Sequence, residues 1–101
     1  MYKNKIIEFF RKKTEYEFLH FSGRTNTQIW QLGLIIKKKY KNPLVLMPST
    51  LCVSPSIIFT TLKIKIKYVD VDIKTGLIDR NKLNKTLENN KINVLFYANL
   101  F

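Results

Sequence analysis

One cysteine in 101 residues rules out an internal disulfide and any multi-cysteine metal site within this chain. Glycine and proline are equally sparse, at three each. With 46% hydrophobic and 25% charged residues, that scarcity places the chain among globular proteins and away from disordered or collagen-like ones. Nowhere do 18 apolar residues run together, so no membrane-spanning helix is expected. The opening MYKNKIIEFFRKKTEYEF has too short an apolar stretch for a signal peptide and no small-residue cleavage site. The expectation is a soluble, cytoplasmic protein without a membrane partner. The single histidine, His20, reads as a strand or loop residue rather than a ligand, and no metal site is expected.

Acidic residues are scarce too: seven, against eighteen basic ones, for a net charge of +11. Clustered cations neutralise phosphates and release counterions, so a nucleic-acid partner is one reading. Fifteen of the eighteen are lysine, however, and the chain is also rich in isoleucine and asparagine. An AT-rich genome favours the codons of all three, which makes compositional drift the primary explanation of the charge. A small basic α/β module binding nucleic acid is the runner-up.

The patterning is legible. YKNKIIEFFRKK carries Ile6, Phe9 and Phe10 at helical spacing, predicting an amphipathic helix docked on a core, within an N-terminal segment of residues 1–20. Residues 21–101 form the second unit. There, Thr25 and Gln28 fit a capping box, and Ile29, Leu32, Gly33 and Ile36 form a helical stripe closed by Lys37, Lys38 and Lys39, whose charge suits the end of the helix dipole. PLVLMP reads as a buried strand and residues 54–62 as a helix, with Ser54 as its cap and Pro55 in its first position. KIKIKYVDVD alternates through Ile64, Ile66 and Tyr68 as a half-buried strand. DIKTGLID is a turn pivoting on Gly76, Asp79 caps a further helix to Asn89, and INVLFYA is the last strand. Strands alternating with helices imply a mainly parallel sheet covered by helices.

In such sheets ligands sit beyond the carboxyl ends of the strands, where helix N-termini present free N–H groups to anions. Two loops fall there. STLCVSPS follows the first strand with small uncharged residues, and SGRTNTQ opens a helix with a glycine and a cation, Arg24. Cys52 alone does not make a nucleophile, since no neighbouring residue is placed to activate it. Asp70, Asp72 and Gly76 mimic part of a calcium loop, but the glycine falls one place late, Lys74 takes a ligand position and the closing glutamate is missing. Both aspartates are read as strand-end and turn residues.

Taken in order, SGRTNTQIWQLGL, LVLMPSTLCVSPSIIF, IKYVDVDIKTGLID and INVLFYANLF resemble the DegT/DnrJ/StrS family of sugar aminotransferases from about Phe21 to Phe101. The second block is similar to the family's PS-x-T-x-V stretch, and the third and fourth to its FVDID…NID and HLFG stretches. The resemblance implies an α/β fold, a fragment of the three-layer αβα large domain of the pyridoxal-phosphate-dependent transferases. It implies that Gly23, Arg24 and Thr25 hold the cofactor phosphate and that Cys52 contacts the pyridine ring where the family usually stacks an aromatic. Asn99 stands where the family often has histidine. The family's pyridine-pairing aspartate and its cofactor-binding lysine follow the matched blocks, so no catalytic residue is assigned here. The implied protein is the front part of an aminotransferase, a truncated or split gene product or a degenerate remnant, inactive alone. Its intact relatives are homodimers that move an amino group from an amino acid to a nucleotide-linked keto sugar.

Overall fold

The computed structural model describes residues 2–14 and 24–97. Its elements are α1 (Tyr2–Thr14), α2 (Thr25–Lys39), β1 (Leu44–Pro48), α3 (Val53–Thr61), β2 (Lys65–Val69), α4 (Arg80–Asn89) and β3 (Val94–Leu95). The three strands make one open, all-parallel sheet in the order β2-β1-β3. β1 is therefore central. Its apolar run is buried on both faces: Val45, Leu46 and Met47 are fully shielded from water. That is why it reads as continuous hydrophobicity rather than alternation.

Val45 and Met47 point into the main core, where they join Ile29 and Ile36 of α2, Ile58 and Phe59 of α3, and Ile64. Phe59 meets Phe96 edge to face, with ring centroids 5.5 Å apart. Strand alternation turns Leu46 to the opposite face together with Val69, which is also buried. α4 packs against β2 there. The sheet thus carries α2 and α3 on one face and α4 on the other, an αβα arrangement in three strands.

Gly33 explains how closely α2 and α3 approach. A Cβ built on it would collide with a δ-methyl of Leu62 and touch Ile64 and Phe59 at 3.6 and 3.7 Å. The glycine costs helix propensity and gains helix-to-helix contact.

Several local expectations need correction. The Thr25–Gln28 capping box does not form: Arg24 is the N-cap, without a side-chain bond, and Thr25 is already the first helical residue. α3 begins at Val53 with Cys52 as N-cap, two residues earlier than expected, so Pro55 is its third residue and Ser54 does not cap. The first turn tolerates this, because its N–H groups lack intrahelical partners wherever the proline falls. Lys63 does not belong to β2. It has φ 60°, with Lys63 N–H donating to Thr60 O and Ile64 N–H to Phe59 O, a Schellman closure of α3 that drops Ile64 into the core beside Phe59. The alternation of β2 also fails at its end: Tyr68 is exposed and Val69 buried, because the second face is covered at that point.

β3 is two residues long where seven were expected, although Asn93 N–H and Phe96 N–H extend its pairing to Leu44 O and Leu46 O of β1. The docking expected of α1 is not seen among the described residues, where this helix packs against no other element. Phe9 and Phe10 on it remain exposed, and the pair stack edge to face on each other.

Other expectations hold. Gly76 pivots the turn at φ 72°, its N–H donating to Asp72 O, while the Asp72 carboxylate accepts from Lys74 N–H. Asp79 caps α4 by accepting from Lys82 N–H at 3.0 Å. No helix among the described residues is long and apolar enough to cross a membrane.

Candidate functional site

A four-residue connection leads from α2 into β1, so α2 runs against the strand and its N-terminus lies toward the strand's carboxyl end. α3 leaves that same end of β1. Topology therefore brings two helix starts to the carboxyl rim of the sheet, where parallel α/β sheets take ligands.

Arg24 stands at the first start, extended (φ −84°, ψ 157°) and exposed, its carbonyl accepting the first helical bond from Gln28 N–H at 3.1 Å. The amides of Thr25, Asn26 and Thr27 precede that first bond and have no intrahelical partner. Thr25 is exposed, and no carboxylate occupies the first turn of α2. The combination of a cation, a hydroxyl and N–H groups without intrahelical partners at the positive end of a helix dipole suits an anion. Gly23 and His20 lie outside the described residues, as does Asn99.

Cys52 sits at the second helix start, extended (φ −60°, ψ 161°), exposed and free. The small side chains that make this loop open also leave the thiol without a bonded partner among the described residues. No hydrogen bond joins Arg24, Thr25 and Cys52 to one another there. The sequence-predicted residues thus share a rim without forming a bonded cluster. No grouping of potential metal ligands occurs among the described residues, and Asp70 and Asp72 occupy the strand-end and turn positions expected of them. Asp70 pairs instead with Lys82 at 3.0 Å, and this contact raises the lysine's pKa above its usual 10.5.

No family model matches this chain. Searches of curated proteins and of solved structures return no match either.

A second feature was not legible in the sequence. At the opposite, amino rim of the sheet a cleft of about 520 Å³ is lined by Tyr40, Lys41, Asn42, Leu44, Lys65, Asn90, Lys91 and Asn93. Its residues come from two loops and two strand starts spread over more than fifty positions. Only the rule that parallel strands gather their entry loops at one end links them, and that requires the strand order.

Proposed function

We propose that this chain forms the front part of the large domain of a pyridoxal-phosphate-dependent sugar aminotransferase of the DegT/DnrJ/StrS type, and that its share of the work is to hold the cofactor phosphate. The observation that carries the reading is the succession of four family-like blocks in register, the first of which opens α2 at the carboxyl rim of a parallel sheet. The residues present fit a phosphate: exposed Arg24 and Thr25 beside amides without an intrahelical partner, with no acid in the turn. When bound, the cofactor supplies the electron sink for amino-group transfer. The chain supplies orientation. Arg24 donates to phosphate oxygens, Thr25 adds a hydroxyl, and the exposed Cys52 offers a sulfur contact to the ring from the start of α3. The corresponding substrates are an amino acid donor and a nucleotide-linked keto sugar, in a cytoplasmic homodimeric enzyme.

Pyridoxamine 5′-phosphate is the appropriate probe, because it lacks the aldehyde with which fifteen lysines would react indiscriminately. Calorimetry should show it binding, inorganic phosphate competing, and unphosphorylated pyridoxamine failing to bind. Arg24→Ala should weaken binding about tenfold or more, the effect of losing a charge-assisted hydrogen bond. Equal binding of the phosphorylated and unphosphorylated amines would sink the proposal.

A further inference from the structure

The lysines of this chain are not scattered evenly over the fold. Asp70, Asp72 and Asp79 all fall at the carboxyl end of β2 or in the turn beyond it. The entries to the strands carry Lys41, Lys65 and Lys91, and no carboxylate lines the cleft they share. Lysines at the last turn of α2 have an ordinary explanation, since cations suit the C-terminal end of a helix dipole. That explanation extends to Lys41 and Lys91, each of which directly follows a helix C-cap, but not to Lys65. Lys41 lies in the connection after α2, Lys65 opens β2, and Lys91 follows α4. None of them joins an ion pair among the described residues, whose pairs are Lys12 with Glu8 and Lys82 with Asp70. Drift toward lysine codons raises the number of lysines, but does not gather three of them around one cleft whose lining holds no carboxylate.

The rest of the lining suits the same kind of ligand. Asn42 brings an amide donor, Asn90 has one N–H engaged with Thr86 O and a second left, and Tyr40 brings a hydroxyl and an aromatic edge. Asn93 has its amide oxygen engaged, accepting Leu44 N–H at 3.0 Å, which leaves its NH₂ as the donor on that side chain. Lysine, asparagine and tyrosine are among the groups that contact the phosphates of nucleic acids without reading bases. We infer that the amino rim of the sheet is a binding surface for the phosphodiester backbone of nucleic acid, with Lys41, Lys65 and Lys91 as its charged contacts and without sequence preference. The surface lies at the end of the sheet opposite Arg24 and Cys52, so the inference stands or falls separately from the proposed cofactor site.

The test uses the full chain and a fluorescently labelled mixed-sequence DNA 20-mer, with anisotropy read at several salt concentrations between about 50 and 200 mM. Three phosphates neutralised correspond to a slope of log K against log salt of about −3. The triple variant Lys41→Gln, Lys65→Gln, Lys91→Gln should bind at least about tenfold more weakly at 100 mM salt and lose most of that slope. A charge-matched control, Lys74→Gln, Arg80→Gln, Lys85→Gln, removes the same charge away from the cleft and should change affinity less than about threefold. Circular dichroism of both variants checks that the fold is kept, as expected for exposed side chains. Equal losses in the two variants would show that net charge alone drives binding and would overturn the assignment. So would a salt-independent complex, or no complex at 50 mM salt. Pyridoxamine 5′-phosphate binding measured on the rim variant should be unchanged, which keeps the two sites apart.

Discussion

Phe59 is where the fold should be most sensitive to a single change. It is fully buried, belongs to the main cluster, stands edge to face with Phe96, and supplies the carbonyl that closes α3 through Ile64 N–H. Truncating a buried phenylalanine to alanine costs about 3–5 kcal/mol, counting lost transfer energy and the cavity left behind. The edge-to-face pair contributes about 0.5–1.5 kcal/mol beyond area burial. A body of about 70 residues has on the order of 4–10 kcal/mol of stability in total. Phe59→Ala should therefore remove a large fraction of it and lower the urea midpoint sharply. Phe59→Leu keeps most of the volume and should cost less than about 1.5 kcal/mol.

Urea unfolding monitored by far-UV circular dichroism and by the fluorescence of Trp30 on α2 reads both. A double-mutant cycle of Phe59→Leu with Phe96→Leu isolates the ring pair, expected at about 0.5–1.5 kcal/mol of coupling. Phe10→Ala on α1, whose ring is half exposed and outside the cluster, serves as the comparison and should stay within about 0.5 kcal/mol of the parent. If Phe59→Ala cost under about 1 kcal/mol, or Phe10→Ala cost as much as Phe59→Ala, the assignment of the core would be wrong.

Three further outcomes follow from particular contacts. Gly33→Ala should lie within about 1 kcal/mol of neutral, because the gain in helix propensity offsets the movement of the half-buried Leu62 methyl. Gly33→Val, too wide for that gap, should cost about 1–3 kcal/mol in the same urea assay, and a neutral result would mean α2 and α3 are not in close contact. Lys63→Gly should stabilise the protein by roughly 0.5–1 kcal/mol, since glycine takes the left-handed position after α3 without the steric cost of a side chain. A loss of stability would contradict the Schellman closure. Lys82 has a folded-state pKa raised by its hydrogen bond to Asp70. Its contribution should be complete below the unfolded value of 10.5 and should fade as pH rises through the higher folded value. Lys82→Met should flatten that alkaline decline in the urea midpoint, and an unchanged pH profile would show the pair to be energetically silent.

The sequence was explicit where one local signal sufficed. Helical stripes, the buried run of β1, the aspartate cap of α4 and the Gly76 turn are each set by neighbours within a few positions, and each stands where its pattern predicts. α2 starts at Thr25 as its pattern indicates, but the caps of α2 and α3 fell on Arg24 and Cys52 rather than Thr25 and Ser54, because several consecutive polar residues can begin a helix and the winning frame depends on which apolar face reaches the core. Lys63 looked like part of an alternating strand because alternation does not report backbone handedness. β3 looked like seven residues of strand, but pairing requires a partner, and it makes ladder pairs with only Val45 and Leu46 of β1.

Composition and periodicity by themselves determined the class of fold: alternating helices and strands, few turns and one continuous apolar strand leave a parallel sheet as the way to bury that strand on both faces. The tertiary structure decided which charges meet. Strand order gathers Lys41, Lys65 and Lys91 around one cleft and puts the aspartates at the other rim, because parallel connections collect every strand entry at one end and every exit at the opposite one.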